Sequence, residues 1–188
     1  MSTNMMLFFG AVLLIVILMY NSLVSKKNEI ENALGAVHTF LKKRTELIPN
    51  LVATVKQFAS HESKLLTDLT NTRAEAQKSL IKGDIQAADA QVSQVLGRIV
   101  AVAEAYPELK SNENFLSLQA SLNEIEEQLS AARRTYNAAV VQYNNAIEKV
   151  PTVIIASVLG YKRKQVFAVT AAEAAPVDVA KLFNSTGS

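Results

Sequence analysis

Cysteine is absent from this 188-residue chain, so disulfides, thiolate zinc sites and thiol nucleophiles are all excluded. The same absence leaves either side of a membrane open to it. Tryptophan is missing too, and only 6 glycines, 4 prolines and 6% aromatics remain, too few for a fold of many short strands and tight turns. Two histidines, His38 and His61, lie far apart in sequence and make no metal-binding set. Neither sign of charge dominates: 19 Lys and Arg face 17 Asp and Glu, and a net charge of +2 gives no broad field for capturing nucleic acid. What the chain does hold is Ala, Leu, Val, Glu, Lys and Gln, the stock of helices. Its length suits one membrane anchor and one domain with a core of its own.

Met5 to Tyr20 reads MMLFFGAVLLIVILMY, an apolar run without a charge. Crossing ~30 Å of hydrocarbon takes roughly 20 residues, and Leu23 and Val24 let the helix reach the far interface, with Tyr20 as an interfacial aromatic. A cleaved signal peptide is the competing reading, but MSTN offers no basic n-region and no Ala-x-Ala follows. An uncleaved anchor over 5–24 is therefore expected, behind a short tail at 1–4. Phe8, Phe9, Leu13, Leu14, Ile17 and Tyr20 are the expected lipid contacts. Lys26 and Lys27, then Lys42, Lys43 and Arg44, follow the span, so the positive-inside rule predicts a bacterial inner-membrane protein with its amino terminus outside and its domain cytoplasmic.

Beyond the anchor, apolar residues alternate at spacings of three and four. Phe115, Leu118, Leu122, Ile125, Leu129, Ala132, Tyr136, Ala139, Tyr143 and Ala146 form one tract, and Ile85, Ala88, Val92, Val95, Ile99, Val102 and Tyr106 a second. A third runs from Ile30 to Leu69, with Arg44 and Glu62 as polar intruders. Such seams demand partner helices wound against them. Gly83-Asp84, Tyr106-Pro107 and Asn112 supply the stops and caps. Pro49 reads either as a kink in one long helix or as the first position of a new one. Packing favours the turn, giving four helices near 23–46, 48–80, 84–106 and 112–149. The expected fold is all-α: a single transmembrane helix, an antiparallel coiled-coil-like four-helix bundle over 25–149, and an apolar and basic segment with a tail over 150–188.

That last segment, Val150 to Tyr161 followed by Lys162-Arg163-Lys164, is too short to span and very apolar. It either lies on an anionic membrane face, with those three cations as lipid contacts, or caps the bundle core. The end of the chain, AVTAAEAAP and VDVAKLF, reads as a loose tail or a short edge strand.

Enzyme chemistry has no obvious seat. His61-Glu62 lacks a second histidine four residues on, no Gly-x-Ser-x-Gly elbow occurs, and no glycine-rich phosphate loop is present. Glu62 suits a buried hydrogen bond or salt link on the seam. Lys42-Lys43-Arg44 suits a helix dipole or lipid better than nucleic acid, because no stacking aromatics accompany it. Tyr20-Asn21, Tyr136-Asn137 and Tyr143-Asn144 repeat one dipeptide, two copies with tyrosine on the seam, where a polar group can fix register. No catalytic residue, cofactor or metal is expected.

In order along the chain, Tyr20-Asn21-x-Leu23-Val24, Leu41-Lys42-Lys43-Arg44-x-x-Leu47-Ile48-Pro49-Asn50-Leu51-Val52, His61-Glu62, Ala101-x-Ala103-Glu104-Ala105-Tyr106-Pro107-x-Leu109-Lys110, Asn114-Phe115-x-x-Leu118-Gln119, Tyr136-Asn137 and Pro151 resemble the signature of the LemA family. Gly160-Tyr161-Lys162 departs from the Gly-Phe-Lys often found there. The resemblance implies a four-helix domain behind one anchor, an outside amino terminus and no established enzymatic activity, with envelope upkeep hinted at. The resulting expectation is a non-enzymatic scaffold whose partners are membrane lipid and further copies of itself. Because the last helix outruns the third, Leu129, Ala132, Tyr136, Ala139 and Tyr143 are the expected contacts between copies. The alternative is a regulatory adaptor bound to a membrane protease or signalling protein.

Overall fold

The structure is a computed structural model and describes residues 3–61 and 63–167. Every regular element among the described residues is a helix: α1 (Thr3–Phe58), α2 (Ser63–Ile81), α3 (Ile85–Ala105), the single turn α4 (Pro107–Lys110), α5 (Glu113–Glu148) and α6 (Thr152–Val158). The chain is all-α, as its composition requires. Glu62 and the tail beyond Phe167 lie outside the described residues.

α1 overturns the expected turn at Pro49. Instead of separate helices over 23–46 and 48–80, one helix of 56 residues runs through Pro49, and the chain turns only at Ala59–His61. An internal proline costs a helix about 3 kcal/mol, since it leaves the carbonyl four residues back without its donor. Leu41, Ile48, Leu51 and Val55 flank Pro49 on one buried face, each at most 1% exposed. Burying such side chains contributes about 1.5–3 kcal/mol apiece, so the seam outweighs the proline only if the helix keeps its phase. Lys42 and Lys43 consequently stand in mid-helix, where the dipole of a last turn does not reach them. Lys43 instead lies over the Phe40 ring, and Lys42 pairs with Glu46.

The other boundaries fall where their local chemistry puts them. Gly83 takes φ +76°, a backbone region that suits glycine, and Asp84 then caps α3 by accepting from the Ala87 N–H. α3 stops before Pro107, and Asn112 caps α5 through the Phe115 N–H.

α5 runs antiparallel beside α1 from the Phe115 end down to Ile147, and α2 and α3 form a hairpin against the upper part of α1 only. Two cores result. The head packs α1 from Val37 onward with α2, α3 and the upper half of α5. Below it a narrower stalk joins Leu23 and Ile30 of α1 to Ala139, Val140, Tyr143 and Ile147 of α5, with Ala156 of α6 closing its base. The length of α5 beyond α3 is thus covered by α1 of the same chain.

The segment 150–161 meets the stalk along one side only. Ala156 is buried against the stalk, while Val150, Ile154 and Val158 are 82%, 63% and 82% exposed. Gly160, at φ +68°, ends α6, and the Tyr161 N–H reaches back to the Ala156 carbonyl at 2.9 Å. This closing turn reverses the chain, so residues 161–167 climb back along α5.

Candidate functional site

The two Tyr-Asn dipeptides of α5 grip that returning segment by its backbone. Asn144 donates through Nδ2 to the Lys164 carbonyl and accepts the Lys164 N–H, both at 2.9 Å. Asn137 treats Phe167 the same way, at 3.2 and 2.8 Å. The hydroxyls of Tyr143 and Tyr136 donate to the carbonyls of Lys162 and Gln165, at 3.1 and 3.2 Å. None of these bonds reads a side chain of the tail. They leave Lys162, Arg163 and Lys164 exposed, with Arg163 pairing to Glu148 at 2.6 Å. Burial raises the Tyr136 phenol above its ordinary pKa. Tyr143 is raised too, by burial first and then by Tyr161.

A second polar assembly sits inside the head. Arg44 of α1 and Arg133 of α5, 8% and 5% exposed, both reach Asp89 of α3 and Glu126 of α5. Arg44 stands 3.2 Å from Asp89 and 3.0 Å from Glu126, and it also donates to the Ser93 hydroxyl. Burial pushes the Arg44 guanidinium below its ordinary pKa, while Glu126 and Asp89 oppose that shift and Arg133 adds to it. Two cations and two anions make the cluster neutral. Shared by three helices, it fixes their register in the way buried polar groups do on coiled-coil seams.

The residues expected to meet lipid and those expected to meet other copies are placed differently. Phe8, Phe9, Leu13, Leu14, Ile17 and Tyr20 are exposed on α1, which is long and apolar enough to cross a membrane. Leu129 and Ala132 are buried in the head, Ala139 and Tyr143 in the stalk, and Tyr136 is half-buried against Phe167. These five are occupied by α1 and the tail of their own chain. Sequence reasoning noted Asn137 and Asn144 only as members of a repeated dipeptide and passed over Asp89, Glu126 and Arg133. The only signal for the asparagines was the dipeptide repeated at seven residues, and Asp89 had none, because its partners come from distant helices.

Where α1 leaves its apolar run, a hollow of about 640 Å³ is walled by Tyr20 and Lys27 on one side and by Tyr143 and residues 159–164 on the other. A second, of about 420 Å³, lies between α1 and α2 near His38, Glu46 and Arg73. His61 is exposed at the head's far end. Among the described residues no three His, Asp or Glu side chains converge as a metal set.

Residues 33–180 match the family model described as LemA family. Similar chains include magnetosome protein MamQ 2 of Paramagnetospirillum magneticum, 27% identical over 87% of this chain and 70% of that protein. Magnetosome protein MamQ of Magnetospirillum gryphiswaldense is 25% identical over the same shares. Protein LemA of Metamycoplasma hominis is 23% identical over 87% of this chain and 75% of its own length. None of these names states a reaction.

Proposed function

The chain belongs to the LemA family, and from that premise we propose that it is a non-enzymatic scaffold, anchored in a membrane by residues 5–24, that holds its helical head clear of the bilayer and self-associates in the membrane plane. One observation carries this reading. The exposed apolar stretch and the bundle seam belong to a single uninterrupted helix, so whatever holds the one positions the other. The relatives' names, which include magnetosome components and no named activity, support a structural role over a catalytic one. Since the expected α5 seam is covered within one copy, self-association falls to the anchors, which confinement to a plane keeps at high local concentration.

The membrane is the bacterial inner membrane, with the amino terminus outside and the head in the cytoplasm, because Lys26 and Lys27 follow the span. Proteolysis of the head in intact cells would reverse that orientation. Light scattering of the full chain in mild detergent tests the assembly: several copies per particle are expected, and monomer alone would defeat self-association. An adaptor role is favoured by the exposed Leu116 and Val141 on α5, which a partner of another sequence could cover. Pull-down from solubilised membranes then returns one stoichiometric stranger rather than more of the same chain.

A further inference from the structure

The hollow at the base of the stalk has the chemistry of a phosphate cradle set at lipid level. Its α1 wall begins at Tyr20, the last residue of the exposed apolar run. Its other wall is the segment after α6, where Lys162 and Lys164 project cations that no carboxylate pairs among the described residues. Lys27 adds a third cation, shared loosely with Glu31 at 3.9 Å, and Arg163 a fourth, held by Glu148. Just ahead of that segment in the chain stand Val150, before α6, and Ile154 and Val158 on it, spaced by four and largely outside the fold. Water is a poor neighbour for that strip, and acyl chains are a good one.

The clasp on α5 explains why the cations stay in place. Asn144 and Tyr143 fix the backbone of Lys164 and Lys162 and leave both side chains free, so the charges are presented from a fixed frame. α6 itself is tied to the foot of α1, since Ala156 packs in one cluster with Leu23. Charge and apolar surface therefore meet at a single edge of the molecule, next to the run that ends at Tyr20.

We propose that this hollow binds the phosphate of one anionic phospholipid, with Lys27, Lys162 and Lys164 around the headgroup and the acyl chains against Ile154, Val158 and the exposed foot of α1. The site rests on the anchored reading above, since only a chain held in a bilayer brings headgroups to Tyr20.

The full chain in a non-ionic detergent, followed by native mass spectrometry with added phosphatidylglycerol, phosphatidylcholine or inorganic phosphate, tests it. One phosphatidylglycerol per chain is expected, retained at least about ten-fold better than phosphatidylcholine, because several cations act together on one anionic headgroup. K27Q/K162Q/K164Q keeps the backbone clasp and is expected to lose that preference. K42Q/K43Q, which alters cations on the head, is expected to keep it. Equal retention of the two lipids, equal loss in both variants, or inorganic phosphate binding as well as the lipid would each overturn the site. Carbonate washing of vesicles carrying the same proteins separates the two readings: release of the unaltered chain defeats the anchor, whereas retention without lipid preference defeats the headgroup site alone.

Discussion

Asn137 and Asn144 stand one heptad apart on α5, and the backbone groups they hold, at Phe167 and Lys164, stand three residues apart. Seven helical residues rise about 10.5 Å. Three extended residues cover about 10 Å. The rise of one heptad therefore matches the reach of three extended residues, so that identical side chains meet backbone groups three positions apart.

Asn144→Ala should free the tail near Lys164. Two hydrogen bonds at about 1 kcal/mol each are lost, and trypsin should cut after Lys162, Arg163 or Lys164 several-fold faster than in the unaltered chain. Asn144→Asp should be no better, because a carboxylate would face the Lys164 carbonyl. Unchanged cleavage kinetics would show that the clasp does not hold the segment.

Tyr143→Phe isolates a hydroxyl. It should cost about 1 kcal/mol and remove a late-titrating phenol from the ultraviolet absorbance titration. The sign follows from the raised pKa of Tyr143 and Tyr136. An acid whose folded pKa lies above its unfolded value contributes stability fully below the unfolded value, about 10 for tyrosine, and that contribution is lost as pH rises through the folded one. Alkaline melts should thus weaken above about pH 10, less so in the double phenylalanine variant; identical curves would refute the assignment.

Asp89→Ala should be among the most damaging single changes in the head. Two guanidiniums would keep their burial and lose a shared anion, a loss of about 3–5 kcal/mol. Glu126, with a side chain 43% exposed, lies closer to solvent than Asp89 at 21%, and Glu126→Ala should cost less than Asp89→Ala. Thermal melts followed by circular dichroism in mild detergent rank the two; equal losses would contradict the cluster's geometry.

Pro49→Ala should raise the melting temperature. Alanine returns the N–H that a continuous helix lacks at this point and recovers part of about 3 kcal/mol. A fall in melting temperature would instead mark Pro49 as a residue the fold needs for a turn.

Much of this was legible because heptads report burial directly: every seam residue from Phe115 to Ala146 is buried or half-buried. Pro49 misled because a local rule about proline competes with the aliphatic face around it, and only the packed helices reveal which is larger. Arg44 stood out as an intruder on a seam, yet its partners could not be named, since Asp89 and Glu126 come to it from two other helices. The Tyr-Asn repeat was visible too, but not its purpose. Its partners lie 19 to 30 residues further on, in a segment with no periodicity to announce it.

α1 reaches from the apolar run to the far end of the head without a joint. Between Tyr20 and Phe58 it forms a lever arm of about 57 Å. In a chain anchored and self-associated as proposed, a tilt of about ten degrees at the lipid surface would sweep the tip sideways by about 10 Å, so that a change in bilayer thickness around the anchor would become a displacement at the distal end large enough to bring neighbouring heads together or part them.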